Sequence, residues 1–196
     1  MNLIEKIIFI KNILLTKLKY KLFLKKIGKN TVIEKPILFK GKKNILISDN
    51  VYIRQNSRIE VIEHFKNQYF KPKLIIQKNV NIEQNFHCTC AGEIIIGENT
   101  SITPNVAIFN INHSYKKVNI SPKFQDYEIK NIIIGKNCMI GTNTVILPGT
   151  EIGDNVIIGA NSVVKGKICS NTVIGGNPAK IIKKYNFKTH SWERMR

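Results

Sequence analysis

The sequence predicts an all-β solenoid in which short strands wind into a three-sided prism, and three observations support this fold class. Aliphatic residues recur every six positions, asparagines follow them at a fixed distance, and the six-residue repeats group in threes. Neither the period of about 3.6 residues of a helix nor the two-residue alternation of a half-buried strand produces this pattern. A sandwich of antiparallel strands would need that alternation, so we do not favour it.

The six-residue repeat is clearest in the C-terminal half of the chain. Its aliphatic positions there are Ile134, Ile140, Ile146, Ile152, Ile158 and Val164. Because these side chains would all point inward, they predict the core of the prism. Extended toward the N-terminus, the same spacing gives about six coils of three hexapeptides each, and these coils begin at Ile27, Ile47, Ile76, Ile96, Ile134 and Ile152.

Two columns of asparagine mark the predicted corners between strands. A corner needs a residue that tolerates left-handed backbone angles, and asparagine does so at low cost. Stacked asparagines can also bond to one another along the axis of the prism. The first column is Asn30, Asn50, Asn79, Asn99, Asn137 and Asn155, and the second is Asn56, Asn85, Asn105, Asn143 and Asn161, with Pro36 before it.

Two insertions interrupt the repeat, at about residues 62–73 and 114–131. A solenoid places its insertions at corners, often on the binding face. The second insertion follows Asn110-Ile111-Asn112-His113, and we expect it to reach over a neighbouring surface.

Both ends of the chain differ from the repeat domain, which we place at residues 27–179. Residues 1–26 predict a basic amphipathic helix, since apolar residues follow a mostly helical spacing and eight lysines face one acid, Glu5, through residue 30. This helix is expected to cap the first coil or to pack on the side of the prism, and also to rest on an anionic membrane surface. Residues 180–196 predict a short basic tail.

The composition excludes several classes of protein. Lysine and arginine number 31 against 13 acids, which gives a net charge of +18, but only four of the 31 are arginines. Since arginine is best suited to bidentate contacts with bases, sequence-specific binding of nucleic acid is disfavoured, whereas attraction to anionic glycans or membranes is not. Lysines interrupt every apolar stretch near the N-terminus, so we expect no membrane span, no signal peptide and a cytoplasmic protein, peripheral at the inner face of the membrane. Four irregularly spaced cysteines favour free thiols and no metal site.

Three segments resemble the hexapeptide-repeat acyltransferases. They are Ile134 to Gly149, which contains a Leu-Pro-Gly step, Ile158 to Lys165, and Gly176-Asn177-Pro178-Ala179-Lys180. Asn112-His113-Ser114-Tyr115 is similar to the family's histidine motif. The resemblance covers roughly residues 27–184, and its nearest branch looks like the maltose, galactoside and exopolysaccharide O-acetyltransferases. It implies a left-handed parallel β-helix, a homotrimer, and acetyl-coenzyme A bound in a groove between neighbouring prisms.

The resemblance also implies roles for individual residues. His113 corresponds to the catalytic histidine, which would take a proton from an acceptor hydroxyl so that the oxygen can attack a thioester. Backbone N–H groups around Gly141 and Thr142 would stabilise the oxyanion. Glu83 stands where the sugar acetyltransferases have an acceptor-contacting asparagine, so we expect it to contact the acceptor or steady His113. Further acceptor contacts are expected from Asn85, Asn110, Asn112 and Tyr115, and acetyl-coenzyme A contacts from Gly141, Thr142, Gly159, Ala160, Lys165, Asn177, Pro178, Lys180 and Lys183.

Three functions remain open at this point. The first is an O-acetyltransferase acting on a sugar hydroxyl of a bacterial surface polysaccharide or its precursor, which the lysine-rich surface and basic helix favour. The second is an N-acetyltransferase for a nucleotide-linked amino sugar or another small amine. The third is a catalytically silent trimeric scaffold, against which His113 argues.

Overall fold

A computed structural model describes residues 2–195 and shows a left-handed parallel β-helix with three flat faces, as predicted. Sheet A contains the strands Lys26–Ile27, Ile45–Ile47, Lys73–Ile76, Glu93–Ile96, Ile132–Ile134, Glu151–Ile152 and Lys167–Ile168. Sheet B contains Val32–Ile33, Tyr52–Ile53, Asn81–Ile82, Ser101–Ile102, Met139–Ile140, Ile157–Ile158 and Thr172–Gly175. Sheet C contains Leu38–Lys40, Arg58–Val61, His87–Cys90, Ala107–Phe109, Val145–Ile146 and Val163–Val164.

The chain passes through sheets A, B and C in turn, so each coil has an A–B, a B–C and a C–A corner. Six coils are complete, and a seventh adds one strand each to sheets A and B. The predicted six-residue repeat ended at Val164 and missed this partial coil. The C–A corner at Gly166, with a positive φ of 77°, brings Ile168 into the inward column four positions after Val164.

The inward column forms the core, as the repeat predicted. Its residues, including the cysteine of the third coil, Cys88, are buried, except that Ile27 and Ile168 at the two ends are partly buried. Buried hydroxyls between these positions are satisfied by corner carbonyls, for example Thr150 Oγ1 to Leu147 O and Ser162 Oγ to Gly159 O, both at 2.6 Å. The polar side chains inside the prism therefore cost little, because their hydrogen bonds are made.

The asparagine columns form hydrogen-bonded ladders along the prism. At the A–B corner each asparagine has a left-handed φ between 53° and 58° and donates its side-chain amide to the asparagine of the next coil, with N···O distances of 2.9–3.2 Å. This ladder runs from Asn30 to Asn171, one coil further than predicted. The ladder at the B–C corner links Asn85, Asn105, Asn143 and Asn161 at 2.9–3.1 Å. Asn56, predicted at the start of this column, has a left-handed φ of 62° but makes no side-chain bond to Asn85 within residues 2–195. The ladders confirm that asparagine serves both the backbone angle and the axial stacking.

One helix, Leu3–Tyr20, precedes the first coil and is shorter than the predicted 1–26. Asn2 caps it in a capping box with Glu5, both hydrogen bonds being 2.8 Å long. Thr16 Oγ1 accepts a hydrogen bond from the Ile33 N–H at 3.0 Å, and Tyr20 packs edge-on against the Phe39 ring. The helix is therefore docked on the first coil.

The basic C-terminal segment continues sheet B as an antiparallel hairpin. Lys180–Asn186 pairs with Thr172–Gly175, and Ser191–Arg194 pairs with Lys180–Asn186. The hairpin covers the last parallel strand of sheet B, an edge that would otherwise be open to pairing. No helix within residues 2–195 is long and apolar enough to cross a bilayer.

Candidate active site

The two predicted insertions leave the C–A corner and meet each other. The first, from the second coil, contains a hairpin of His64–Phe65 and Gln68–Tyr69. The second, from the fourth coil, pairs Ile111–His113 with Tyr127–Ile129 and carries a 3₁₀ turn at Pro122–Phe124. The second insertion thus packs on the first insertion of its own chain.

Gln68 joins the two insertions through a pair of hydrogen bonds. Its Nε2 donates to the Tyr127 carbonyl at 3.1 Å, and its Oε1 accepts from the Tyr127 N–H at 2.7 Å. One side chain thereby satisfies both backbone groups of a residue that lies opposite His113 in the antiparallel pair. This arrangement ties the strand that supports His113 to the first insertion.

An aromatic cluster surrounds the His113 ring. Phe65 stacks on Tyr127 with ring centroids 3.8 Å apart, and His113 lies edge-on to Tyr127 at 4.7 Å and to Phe65 at 5.7 Å. Nδ1 of His113 is buried and meets no hydrogen-bond partner among residues 2–195. Packing against two aromatic rings therefore sets the orientation of this imidazole.

The loop between the paired strands of the second insertion is ordered by one glutamine. Gln125 accepts from the Lys117 N–H at 3.0 Å and donates to the carbonyls of Lys117 and Ile120 at 2.9 and 2.7 Å. Ser114 N–H donates to the Asp126 carbonyl at 2.8 Å. These bonds close the loop directly behind His113.

The B–C corner changes character along the prism. The residue after the inward aliphatic is charged or polar in the first four coils, namely Glu34, Arg54, Glu83 and Thr103, and glycine in the last three, namely Gly141, Gly159 and Gly175. The glycines form one edge of the prism, where a Cβ would lie 2.6 Å from Ala160 N at Gly141 and 3.0 Å from Ile182 Cδ1 at Gly175, but no closer than 3.5 Å to any neighbour at Gly159. This edge is the surface on which most of the predicted coenzyme contacts fall.

The predicted oxyanion donors differ in availability. Gly141 N–H donates to the Ile158 carbonyl at 2.9 Å, so the prism itself occupies it. Thr142 N–H has no acceptor among residues 2–195, and the Thr142 side-chain hydroxyl bonds to the Thr103 hydroxyl at 3.2 Å. Of the two predicted donors, the Thr142 N–H is therefore the one that can bond to an oxyanion.

The remaining predicted coenzyme contacts lie near the C-terminal end of this edge. Lys180 is the strand partner of Gly175, and Lys183 is exposed on the same strand. The turn containing Asn177 and Pro178 is held on the last strand of sheet C, because Ala179 N–H donates to the Val163 carbonyl at 2.9 Å. Gly159 and Ala160 form the corner one coil earlier, and exposed Lys165 follows Val163 by two positions.

Glu83 is engaged within its own prism. Its Oε2 lies 2.7 Å from Arg54 Nε, and its Oε1 accepts from Asn81 Nδ2 at 2.7 Å. Within residues 2–195 it makes no contact with His113, because it lies at the B–C corner and His113 extends from the C–A corner. The expected contact with an acceptor stays a prediction.

Tyr52 and Glu34 extend this polar cluster toward the first coil. Tyr52 donates its hydroxyl to Glu34 at 2.6 Å, and the Arg54 guanidinium lies 4.9 Å above the Tyr52 ring. Burial, together with the bond to Glu34, raises the pKa of Tyr52 to about 12. The Tyr52 hydroxyl is therefore a neutral donor at physiological pH.

Of the four predicted acceptor contacts, two are engaged within the prism and two are exposed. Asn110 was a wrong prediction: it is fully buried, its Oδ1 accepts from the Ala91 N–H at 2.9 Å, and its side chain supports the corner from inside. Asn85 donates its amide to Asn105 as part of the B–C ladder. Asn112 and Tyr115 are exposed on either side of His113, so both remain available to a substrate.

Sequence reasoning missed Phe65, Gln68 and Tyr127. The three residues lie in the two insertions, up to 62 positions apart, and no motif in the sequence connects them. The insertion boundaries were the only available signal.

A left-handed β-helix with a histidine held beside two corner insertions and a glycine edge defines a hexapeptide-repeat transferase. The model of the family described as "Bacterial transferase hexapeptide (six repeats)" matches residues 131–166. The chain is 38% identical over 157 residues to the "Putative lipopolysaccharide biosynthesis O-acetyl transferase WbbJ" of Escherichia coli, covering 73% of this chain and 80% of that protein. The chain therefore belongs to the hexapeptide-repeat family and is an acyltransferase.

Two further proteins are similar to this chain, one in sequence and one in fold. It is 29% identical over 164 residues to the galactoside O-acetyltransferase of Escherichia coli, covering 82% of this chain but only 64% of that enzyme. Its fold resembles that of AntD, an N-acyltransferase from Bacillus cereus solved in complex with dTDP and 3-hydroxybutyryl-CoA. The TM-score is 0.70 at 20% identity, and the superposition covers 89% of this chain and 90% of AntD.

Proposed function

We propose that this acyltransferase moves an acetyl group from acetyl-coenzyme A to a sugar hydroxyl of a bacterial surface polysaccharide or its precursor, and that it works as a homotrimer. The similarity to WbbJ supports the O-acetyl product and the polysaccharide context, because this chain is 38% identical to WbbJ and covers 80% of it. The galactoside O-acetyltransferase supports a sugar as acceptor.

The observation that carries the proposal is the position of His113. The imidazole is held by aromatic packing at the meeting point of both insertions, with Nδ1 enclosed. Nε2 is then the nitrogen that a hydroxyl group can reach. Since a sugar hydroxyl is a weak nucleophile, a general base that removes its proton during attack is the contribution the reaction needs most from the protein.

The proposed reaction uses His113 of one prism and Thr142 of the neighbouring prism in the proposed trimer, because within one chain His113 extends from the C–A corner and Thr142 lies at the B–C corner. His113 accepts the hydroxyl proton as the oxygen bonds to the acetyl carbonyl carbon, and it returns that proton to the departing sulfur. Thr142 N–H donates to the carbonyl oxygen as negative charge develops there. Acetyl-coenzyme A supplies the activated thioester, so the protein needs no covalent intermediate.

The glycine edge fits the extended arm of coenzyme A. A Cβ built at Gly159 would lie 3.5 Å from its nearest neighbour, Ile174 O, so packing within the chain does not require glycine at this position. Its φ also lies outside the left-handed range. Since neither packing nor backbone geometry requires glycine here, its presence is consistent with close approach of a ligand. Lys180 and Lys183, at the end of the glycine edge, suit the phosphates of coenzyme A.

The acceptor class can be tested with matched sugars. The protein is incubated with acetyl-coenzyme A and pairs of sugars that differ only in a hydroxyl or an amine, and thiol release and product mass are measured. An alkali-labile ester on the hydroxyl sugars supports the proposal. An alkali-stable amide on the amino sugars alone would contradict it and indicate an N-acetyltransferase. Binding of acetyl-coenzyme A without thiol release in the presence of any acceptor would indicate a catalytically silent scaffold.

The proposed trimer is tested by measuring the mass of the assembly in solution. Light scattering should give three times the chain mass of 22.4 kDa at micromolar concentration. A monomer mass would contradict the proposed groove between prisms.

A further inference from the structure

The N-terminal helix has an inner face that packs on the prism. Phe9, Ile13, Thr16 and Tyr20 are its partly or fully buried apolar and hydroxyl residues, and they recur every three or four positions. Phe9 lies parallel to the Tyr52 ring with centroids 6.4 Å apart, beside the Thr16 and Tyr20 contacts described above. This face fixes the helix on the first two coils.

The opposite face of the same helix is apolar and exposed. At about 100° per residue, its large side chains cover an arc of roughly 160° centred away from the inner face. Each of them is at least half exposed: Leu3, Ile4, Ile7, Ile8, Ile10, Leu14, Leu15 and Leu18, followed by Leu22 and Phe23 just beyond the helix. An apolar face of this extent on a protein surface marks an interaction site.

Lysines border this apolar face. On the same helical projection Lys6 and Lys17 fall along one edge and Lys19 along the other, while Lys11 lies within it. The only acid of the helix, Glu5, is turned to the capping box with Asn2. The surface therefore combines apolar side chains with positive charge, including Lys11 near its centre, and has no competing carboxylate.

We propose that the N-terminal helix is an interfacial anchor that lies in the headgroup region of an anionic lipid bilayer. Leucine and isoleucine side chains would enter the acyl boundary, and the lysines would extend along it to lipid phosphates. Self-association of this face is less favourable, because a second copy brings the same lysines together, whereas anionic headgroups neutralise them. The anchor does not depend on which sugar is acetylated.

The test is co-sedimentation of the full chain with lipid vesicles. Vesicles of 30% phosphatidylglycerol in phosphatidylcholine are compared with pure phosphatidylcholine at low and at near-physiological salt. We expect binding to the anionic vesicles that weakens with salt and little binding to the neutral ones. Absence of binding to the anionic vesicles at low salt would overturn the proposal.

Two double variants distinguish anchoring by the helix from attraction by the overall positive charge of the protein. The first double variant, Leu14→Gln with Leu18→Gln, makes two outward side chains of the helix polar, and it should lower the vesicle partition coefficient at least tenfold. The second, Lys6→Gln with Lys17→Gln, neutralises two lysines at the border of the apolar face, and it should lower the coefficient by roughly 30-fold. The control pair Lys78→Gln with Lys136→Gln removes the same charge from exposed lysines at the A–B corners of the third and fifth coils and should change binding little.

The outcomes of these variants are decisive in either direction. An equal loss in the control pair would overturn the proposal in favour of attraction by net charge alone. Light scattering that shows an assembly larger than a trimer, dissolved by the leucine pair, would overturn it in favour of contacts between copies. Because all the substituted side chains are exposed, unchanged melting temperatures should accompany each variant.

Discussion

Gln68→Ala is expected to slow acetyl transfer without unfolding the prism. The substitution removes both hydrogen bonds between the insertions and leaves the Tyr127 N–H and carbonyl unpaired. At about 1 kcal/mol for each bond, the docked arrangement of the insertions loses roughly 2 kcal/mol, which shifts its equilibrium by up to about 30-fold. His113 is then correctly oriented in only part of the molecules.

Steady-state kinetics measure this loss. A smaller population of competent enzyme lowers kcat and leaves the KM for the acceptor nearly unchanged. The matched control is Gln77→Ala, which removes a single bond from the Glu98 N–H at the A–B corner and should leave kcat unchanged. A Gln68→Ala enzyme with unaltered kcat would refute the idea that the first insertion positions His113, and a fall in kcat with an equal fall in the control would show a general effect of stability.

Three other predictions concern the cofactor edge, the acceptor and the pH dependence of stability. Gly159→Ala should weaken binding of coenzyme A in calorimetry but leave the melting temperature unchanged, since the fold has room for the Cβ; unchanged affinity would contradict the placement of the cofactor. Glu83→Gln should raise the acceptor KM if this carboxylate contacts the acceptor, and unchanged kinetics would leave it with Arg54 as a structural pair. Partial burial, and then the neighbouring Arg58, lower the pKa of His87 below its ordinary value of 6.5. As the pH falls, the unfolded chain therefore binds a proton at His87 before the folded chain does. The free energy of unfolding, measured with urea, should decrease as the pH is lowered from 6.5, and this decrease should be smaller in His87→Gln.

The sequence predicts nearly all of the prism because its signals are local and periodic. Each inward aliphatic and each left-handed asparagine is specified by its own hexapeptide, so the coils could be counted directly. The seventh coil was missed where the corner at Gly166 shortened the spacing. The hairpin at Lys180–Arg194 was missed because antiparallel pairing on the last strand leaves no six-residue trace.

The site was only partly predictable, for a physical reason. His113 stands in a short motif, but Phe65 and Gln68 act on it through contacts between two insertions that are distant in the sequence. Asn110 was misassigned because a buried amide that satisfies backbone groups and an exposed amide that binds a sugar look the same in a sequence. Such distinctions depend on burial, which the prism geometry decides.

The central claim, that His113 is the general base of transfer to a hydroxyl, is tested most directly by His113→Ala. The aromatic rings that it contacts, Phe65 and Tyr127, lie in the two insertions, so the prism and coenzyme binding should be retained. Calorimetry with coenzyme A and turnover with the accepted sugar are measured on the same preparation. We expect unchanged affinity for the coenzyme and turnover reduced by roughly 10²–10⁴-fold. Near-normal turnover, or an equal loss of coenzyme binding, would contradict the account.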